Sequence, residues 1–246
     1  MKLEIVLDKK YSLKNYTLLL GFPGVGLVGT IAAGYIIEKR KMAPIGHVYC
    51  DRFPPMATVH EGKPYFPARI YKDPEKDFCV LIAEFMVPSI AVHEFAEKIL
   101  AFAKETGIKQ IISIAGMTSA NQEIKKPGTY GIASNDEIYN YLTGKGVKMI
   151  KEGVTTGVSG IIVAKAAVEN YPAASLLVES KYGYPDPNAA AKIIDDLKKM
   201  FGLAIDTKEL RSEAGKIEEK MSQLVNQVKK MDSGYKKGEV EVPMYG

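Results

Sequence analysis

Tryptophan is absent, cysteine occurs twice, histidine three times and arginine four times in 246 residues. Each scarcity excludes something. The two cysteines, Cys50 and Cys79, form no C-x-x-C and have no zinc spacing, so each is expected reduced and half-buried in a strand. The histidines, His47, His60 and His93, stand in neither H-x-x-x-H nor H-E-x-x-H spacing, and no metal site is expected. Arginine is the preferred side chain for two-pronged phosphate and base contacts, and lysine outnumbers it 29 to 4. A nucleic-acid partner is therefore not expected, and the net charge of +4 is mild. The N-terminus, Met1-Lys2-Leu3-Glu4, lacks the apolar core of a signal peptide, which predicts a cytoplasmic protein.

Glycine, by contrast, is concentrated in one place. Leu18 to Ile37 reads LLLGFPGVGLVGTIAAGYII, with an apolar run before it and helix-like apolar residues after. The pattern predicts a buried strand, a glycine-rich turn and a helix packed on a sheet. The stretch is uncharged and flanked by lysines, yet Pro23 and the crowded glycines make a poor helix and no second span exists, so no membrane partner is expected. Gly24, Gly26 and Gly29 satisfy G-x-G-x-x-G, and Asp51 lies about 20 residues further on, where a ribose-binding acid belongs in a dinucleotide site. Against that, Phe22 and Pro23 separate strand from fingerprint, Pro44 interrupts the next strand, and a hairpin pattern follows Asp51. Two readings stand: glycines that serve a tight turn with close helix–sheet packing, and a nucleotide site on which a ligase or nucleoside-processing enzyme would depend.

Further strands are expected at Glu4–Leu7, Phe78–Phe85, Lys109–Ala115, Val147–Ile150 and Ala174–Leu177, with an edge hairpin across Ala57–Tyr71. Helices are expected at Ser89–Thr106, at 135–142 behind a Ser134/Glu137 capping box, from Gly157 to Val168, and from Pro187 to near Gly202 with Asp186 as N-cap. Strands alternating with helices predict an α/β domain with a mostly parallel sheet over residues 1–205. Glu84, at the end of a buried strand, is the first acid placed to face a cleft.

Residues 206–231 differ in kind. Leu210, Ala214, Ile217, Met221, Leu224, Val228 and Met231 are spaced by 4, 3, 4, 3, 4 and 3, a heptad seam among polar residues. A stripe this narrow favours an oligomerisation helix through Leu210, Ile217, Met221, Leu224 and Val228; the alternative is a helix lying on its own domain. Residues 232–246 are polar and glycine-bearing, which predicts a flexible tail.

No catalytic residue stands out. Ser159 sits in a partial G-x-S-x-G, but Ile161 occupies the place of its last glycine, and Leu27 follows Gly26 where a phosphate loop needs lysine. No cofactor is expected, and the chain reads as non-enzymatic.

GFPGVGLVG at 21–29, Arg52-Phe53-Pro54-Pro55, the strand ending at Glu84, GVSG at 157–160 and PDPNAAA at 185–191 occur in an order that resembles the proteasome assembly chaperone family, including its archaeal members, once described as carboxylate–amine ligases. The resemblance covers about residues 15–205. It implies a three-layer fold similar to nucleoside phosphorylases without their catalytic residues, homo-oligomers, and binding to proteasome α subunits. Met244-Tyr245-Gly246 looks like the hydrophobic-tyrosine-X ending, with its carboxylate, that docks between α subunits of the proteasome ring.

Overall fold

The structure, a computed structural model, describes residues 2–9, 11–60, 62–118, 127–180 and 185–223. Nine strands form one sheet: β1 (Leu3–Leu7), β2 (Thr17–Gly21), β3 (Ala43–Cys50), β6 (Ala68–Lys72), β7 (Phe78–Ala83), β8 (Gln110–Thr118), β9 (Thr129–Ala133), β10 (Lys148–Met149) and β11 (Ala173–Ser180). A separate hairpin pairs β4 (Thr58–His60) with β5 (Lys63–Tyr65). The order across the sheet is β1-β3-β6-β7-β2-β8-β11-β9-β10. Its centre, β7-β2-β8-β11, is parallel. Outward through β6, β3 and β1 every pair is antiparallel, so the sheet is mixed.

The side-chain period of two explains the layering. Along β2, Leu18 and Leu20 enter one apolar cluster and Leu19 enters the other. Helices α2 (Ser89–Thr106) and α4 (Gly157–Val168) cover the first face. Helices α1 (Val28–Lys39), α3 (Asp136–Gly144) and α5 (Pro187–Phe201) cover the second. Three layers result, with a core on each side of the sheet. Both cysteines lie in strands as expected, but fully buried rather than half-buried.

Several local expectations change. The edge hairpin expected across Ala57–Tyr71 is divided: β4 and β5 pair apart from the main sheet, and β6 lies inside it between β3 and β7. Pro44 does not break β3, which absorbs it with a register shift between Pro44 and Gly46. The cap of α3 is Asn135, whose side chain accepts from the Ile138 N–H at 3.1 Å. Ser134 instead donates to the Tyr171 carbonyl at 2.7 Å and accepts from the Ala173 N–H at 2.8 Å, tying β9 to β11. Asp186 does cap α5, accepting from the Ala189 N–H at 3.0 Å, and Gly202 ends that helix with φ of 64°.

The heptad region starts as part of the core. In α6 (Lys208–Ser212), Leu210 is buried in the second cluster, and Tyr35 donates to the Asp206 carbonyl at 2.8 Å. A turn at Glu213 precedes helical residues 214–223, where Ile217 and Met221 pack half-buried against the same cluster. Leu210 is thus occupied within its own domain, a correction to its place in an intermolecular seam. Leu224 and Val228 lie outside the described residues.

Candidate functional site

The glycine turn, Glu84 and Asp186 lie at the carboxyl ends of β2, β7 and β11. Ligands gather there in α/β proteins because helices leaving adjacent strands on opposite faces open a crevice. Helix α1 leaves β2 on one face and α2 leaves β7 on the other, so the condition is met. The crevice is filled by aromatic rings. Phe53, from the Arg52-Phe53-Pro54-Pro55 stretch, lies 4.7 Å from Phe85 and 5.4 Å from Phe95, and Phe22 lies 5.5 Å from Phe95, centroid to centroid. Such tilted and edge contacts form an apolar plug.

The glycine turn is stitched to its neighbours on three sides. Val25 bridges Gly116 at the end of β8. The Gly26 carbonyl accepts from the Asp186 N–H at 2.8 Å, and Ser180 at the end of β11 donates to the Asp186 carboxylate at 3.2 Å. Gly26 has φ of 61°, and a Cβ there would fall 2.0 Å from the Ser180 Oγ. A Cβ on Gly29 would fall 2.6 Å from each of two carbonyl oxygens, those of Phe22 and Ile114. Only glycine permits so close an approach of α1 to the ends of β2 and β8. Gly24 has neither constraint: nothing lies within 4 Å of its missing Cβ.

Asp51 is not brought to this turn. It follows β3, which stands three places from β2, so about 14 Å of sheet separates them. A dinucleotide site needs the acid on the strand next to the fingerprint strand, and here β7 and β8 occupy both flanks of β2. The sequence spacing matches; the strand order does not.

Glu84 anchors a polar cluster that sequence reasoning had only begun to assemble. Its Oε1 lies 3.0 Å from the Arg69 Nη2 and 3.2 Å from the His60 Nε2, and its Oε2 is buried without a hydrogen-bond partner among the described residues. Arg69 is buried, donating from Nε to the Tyr71 hydroxyl at 2.8 Å and from Nη1 to the Thr58 hydroxyl at 2.6 Å and the Phe66 carbonyl at 3.0 Å. The rings of Tyr65 and Tyr71 lie 5.5 and 5.8 Å from its guanidinium. Burial raises the Tyr71 phenol above its ordinary range, with the Arg69 charge opposing the rise. Arginine inside the alternating Ala57–Tyr71 segment was the available signal, since a buried guanidinium requires a counter-charge.

Ser159, under the nucleophile-like stretch, accepts a hydrogen bond from the buried Ser113 at 2.5 Å, and Gly160 lets α4 approach the Thr155 backbone. No base lies in that contact. Among the described residues, no three His, Cys, Asp or Glu side chains converge as a metal site requires, and no helix is long and apolar enough to cross a membrane. A groove of about 510 Å³ opens at the opposite end of the sheet, lined by Thr17, Asp77, Lys109 and Tyr141 among others, away from the glycine turn and Glu84. Met244, Tyr245 and Gly246 lie outside the described residues.

Comparison with known proteins gives a consistent result. Residues 18–225 match the PAC2 family model. A Methanocaldococcus jannaschii protein, MJ0106, is 31% identical over 243 residues, covering 99% of this chain and 98% of its own. The crystal structure of Pyrococcus furiosus PbaA, described as an archaeal homolog of proteasome-assembly chaperone, superposes with a TM-score of 0.85 at 33% identity, over 93% of this chain and 99% of that one. Mouse proteasome assembly chaperone 2 is 31% identical over 115 residues, 44% of each chain.

Proposed function

The chain belongs to the PAC2 family, and from that membership we propose that it is a non-enzymatic, chaperone-like protein whose partners are proteasome α subunits. The single observation that carries this reading is the likeness, along nearly the whole chain, to an archaeal homolog of proteasome-assembly chaperone. The site supports it. The glycine turn is used internally, its Gly26 carbonyl by Asp186 and its Gly26 and Gly29 by close packing that leaves no space for a Cβ, and the crevice beside it is closed by phenylalanines. An architecture of the nucleoside-phosphorylase kind, without catalytic residues, belongs to the same reading.

The contact with the α ring is made by the Met244-Tyr245-Gly246 segment. Tyr245 presents a rigid apolar ring with a hydroxyl tip, suited to a half-wet pocket. One such segment binds weakly; several on a cytoplasmic homo-oligomer gain through effective concentration. The residues left for self-association are Ile217, Met221, Leu224 and Val228.

The test is a pull-down with purified α subunits, using the whole chain and a chain lacking 244–246. Retention by the whole chain and its loss on deletion is the expected outcome, with Tyr245→Ala close to the deletion and Tyr245→Phe milder. Equal retention refutes the tail contact, and no retention of either refutes the partner. Saturable ATP or NAD binding by calorimetry, abolished by Gly26→Ala in a folded protein, would overturn the non-enzymatic reading.

A further inference from the structure

His60 stands between two groups that make opposite demands on one nitrogen. Its Nε2 lies 3.0 Å from the Arg69 Nη2 and 3.2 Å from the Glu84 Oε1. A guanidinium only donates and an ionised carboxylate only accepts, so Nε2 satisfies the first with a lone pair and the second with a hydrogen, never both. Arg69 decides between them when the ring is neutral. Its five N–H groups meet Tyr71, Thr58, Phe66, Glu84 and His60, and the set is complete only if His60 accepts. A hydrogen on Nε2 would leave one N–H of a buried guanidinium without a partner, which is costly.

We propose that His60 is a proton-operated fastener for the β4–β5 hairpin, held by Arg69 when neutral and by Glu84 when protonated. Protonation fills the Nε2 lone pair, ends the bond from Arg69 and creates a charge-assisted donor to Glu84. The other groups around the ring are Lys63 opposite it on β5, Tyr65 with its ring 6.0 Å away, Tyr71 behind Arg69, and His47, which pairs in register with Arg69 and stacks on Phe66 at 4.6 Å. Glu61 lies outside the described residues. Thr58 keeps its own bond to Arg69, so the start of the hairpin stays fixed while the end near its turn shifts. The shift matters because that segment carries Val59, 67% exposed, and leads into Phe66, 45% exposed. Acidification changes how these apolar side chains are presented.

The experiment is a pH titration of the full chain by ¹⁵N NMR, following the His60 ring nitrogens and the Val59 and Lys63 amides between about pH 5 and 8. The neutral ring is expected to carry its hydrogen on Nδ1, and the hairpin amides to shift with the same midpoint as the ring. Glu84→Gln keeps the shape and removes the anion to which the protonated ring donates, so the hairpin amides should lose their coupled response to acid. His60→Gln should abolish the hairpin titration. A neutral ring protonated on Nε2, amides that do not follow His60, an unchanged hairpin response in Glu84→Gln, or a hairpin titration persisting in His60→Gln each overturns the proposal. Should Glu84→Gln fail to fold, the tautomer and the His60→Gln titration still decide it.

Discussion

Replacing Gly26 by alanine puts a methyl group where the turn has no space for one. Three costs arise. A left-handed φ of 61° costs an alanine roughly 1–2 kcal/mol. The new Cβ, 2.0 Å from the Ser180 Oγ, forces that hydroxyl to rotate, and its bond to Asp186 is lost at about 1 kcal/mol. The Cβ atoms of Ser180 and Asp186, both 3.2 Å away, must also yield, adding on the order of 1 kcal/mol of packing strain. The sum is about 3–4 kcal/mol, which for a chain of this size lowers Tm by roughly 6–16 °C. Gly24→Ala is the internal control: its Cβ meets nothing within 4 Å and its φ is not left-handed, so stability should hold or rise by about 0.5 kcal/mol. Gly26→Ala with Ser180→Ala should be about as stable as Gly26→Ala alone, because the hydroxyl bond is already lost in the single variant. Differential scanning calorimetry on the four proteins measures all of this. A Gly26→Ala protein as stable as the parent, or Gly24→Ala the more damaging change, would refute the account of the turn.

The buried pair formed by Arg40 and Asp73 gives a second expectation. Burial alone would raise the Asp73 carboxyl, but two bonds from Arg40, at 2.8 and 2.9 Å, and the Glu75 and Lys76 N–H groups hold it below the ordinary range. The unfolded chain therefore takes up the proton first. The stabilisation is complete above about pH 4 and is lost as pH falls through the lower folded value. Arg40→Met strands the carboxylate and should cost about 3–5 kcal/mol at pH 7 in urea melts, with the acid transition moved to higher pH. Leu210→Ala should cost about 2–5 kcal/mol by the same assay, as for any core leucine. The pair Ile217→Asp and Leu224→Asp tests the proposed self-association and should leave a monomer, with some loss of stability where Ile217 packs on the core. Light scattering showing an unchanged oligomer would place that helix wholly on its own domain.

Local signals carried the elements and their ends. Helix α2 runs from Ser89 to Thr106 as its apolar spacing predicts, and Asp186-Pro187 starts α5 as capping chemistry requires. These features depend on neighbours within a turn or two of chain, so the sequence alone determines them, together with the strand–turn–helix character of Leu18–Ile37. Neighbouring side chains compete even at this range: Asn135 caps α3 because Ser134 is drawn to Tyr171 and Ala173, 37 and 39 residues away. Strand order is another matter. Nothing local tells β3 to pair beyond β6 and β7 rather than beside β2, and that choice alone removed Asp51 from the glycine turn. The same choice set the Arg69 of β6 beside the Glu84 that follows β7 and gave His60 its two partners. It also turned the heptad start inward, where Leu210 completes a core that the sequence shows only as a stripe. Periodicity says which face of an element is apolar; only tertiary packing says which surface covers it.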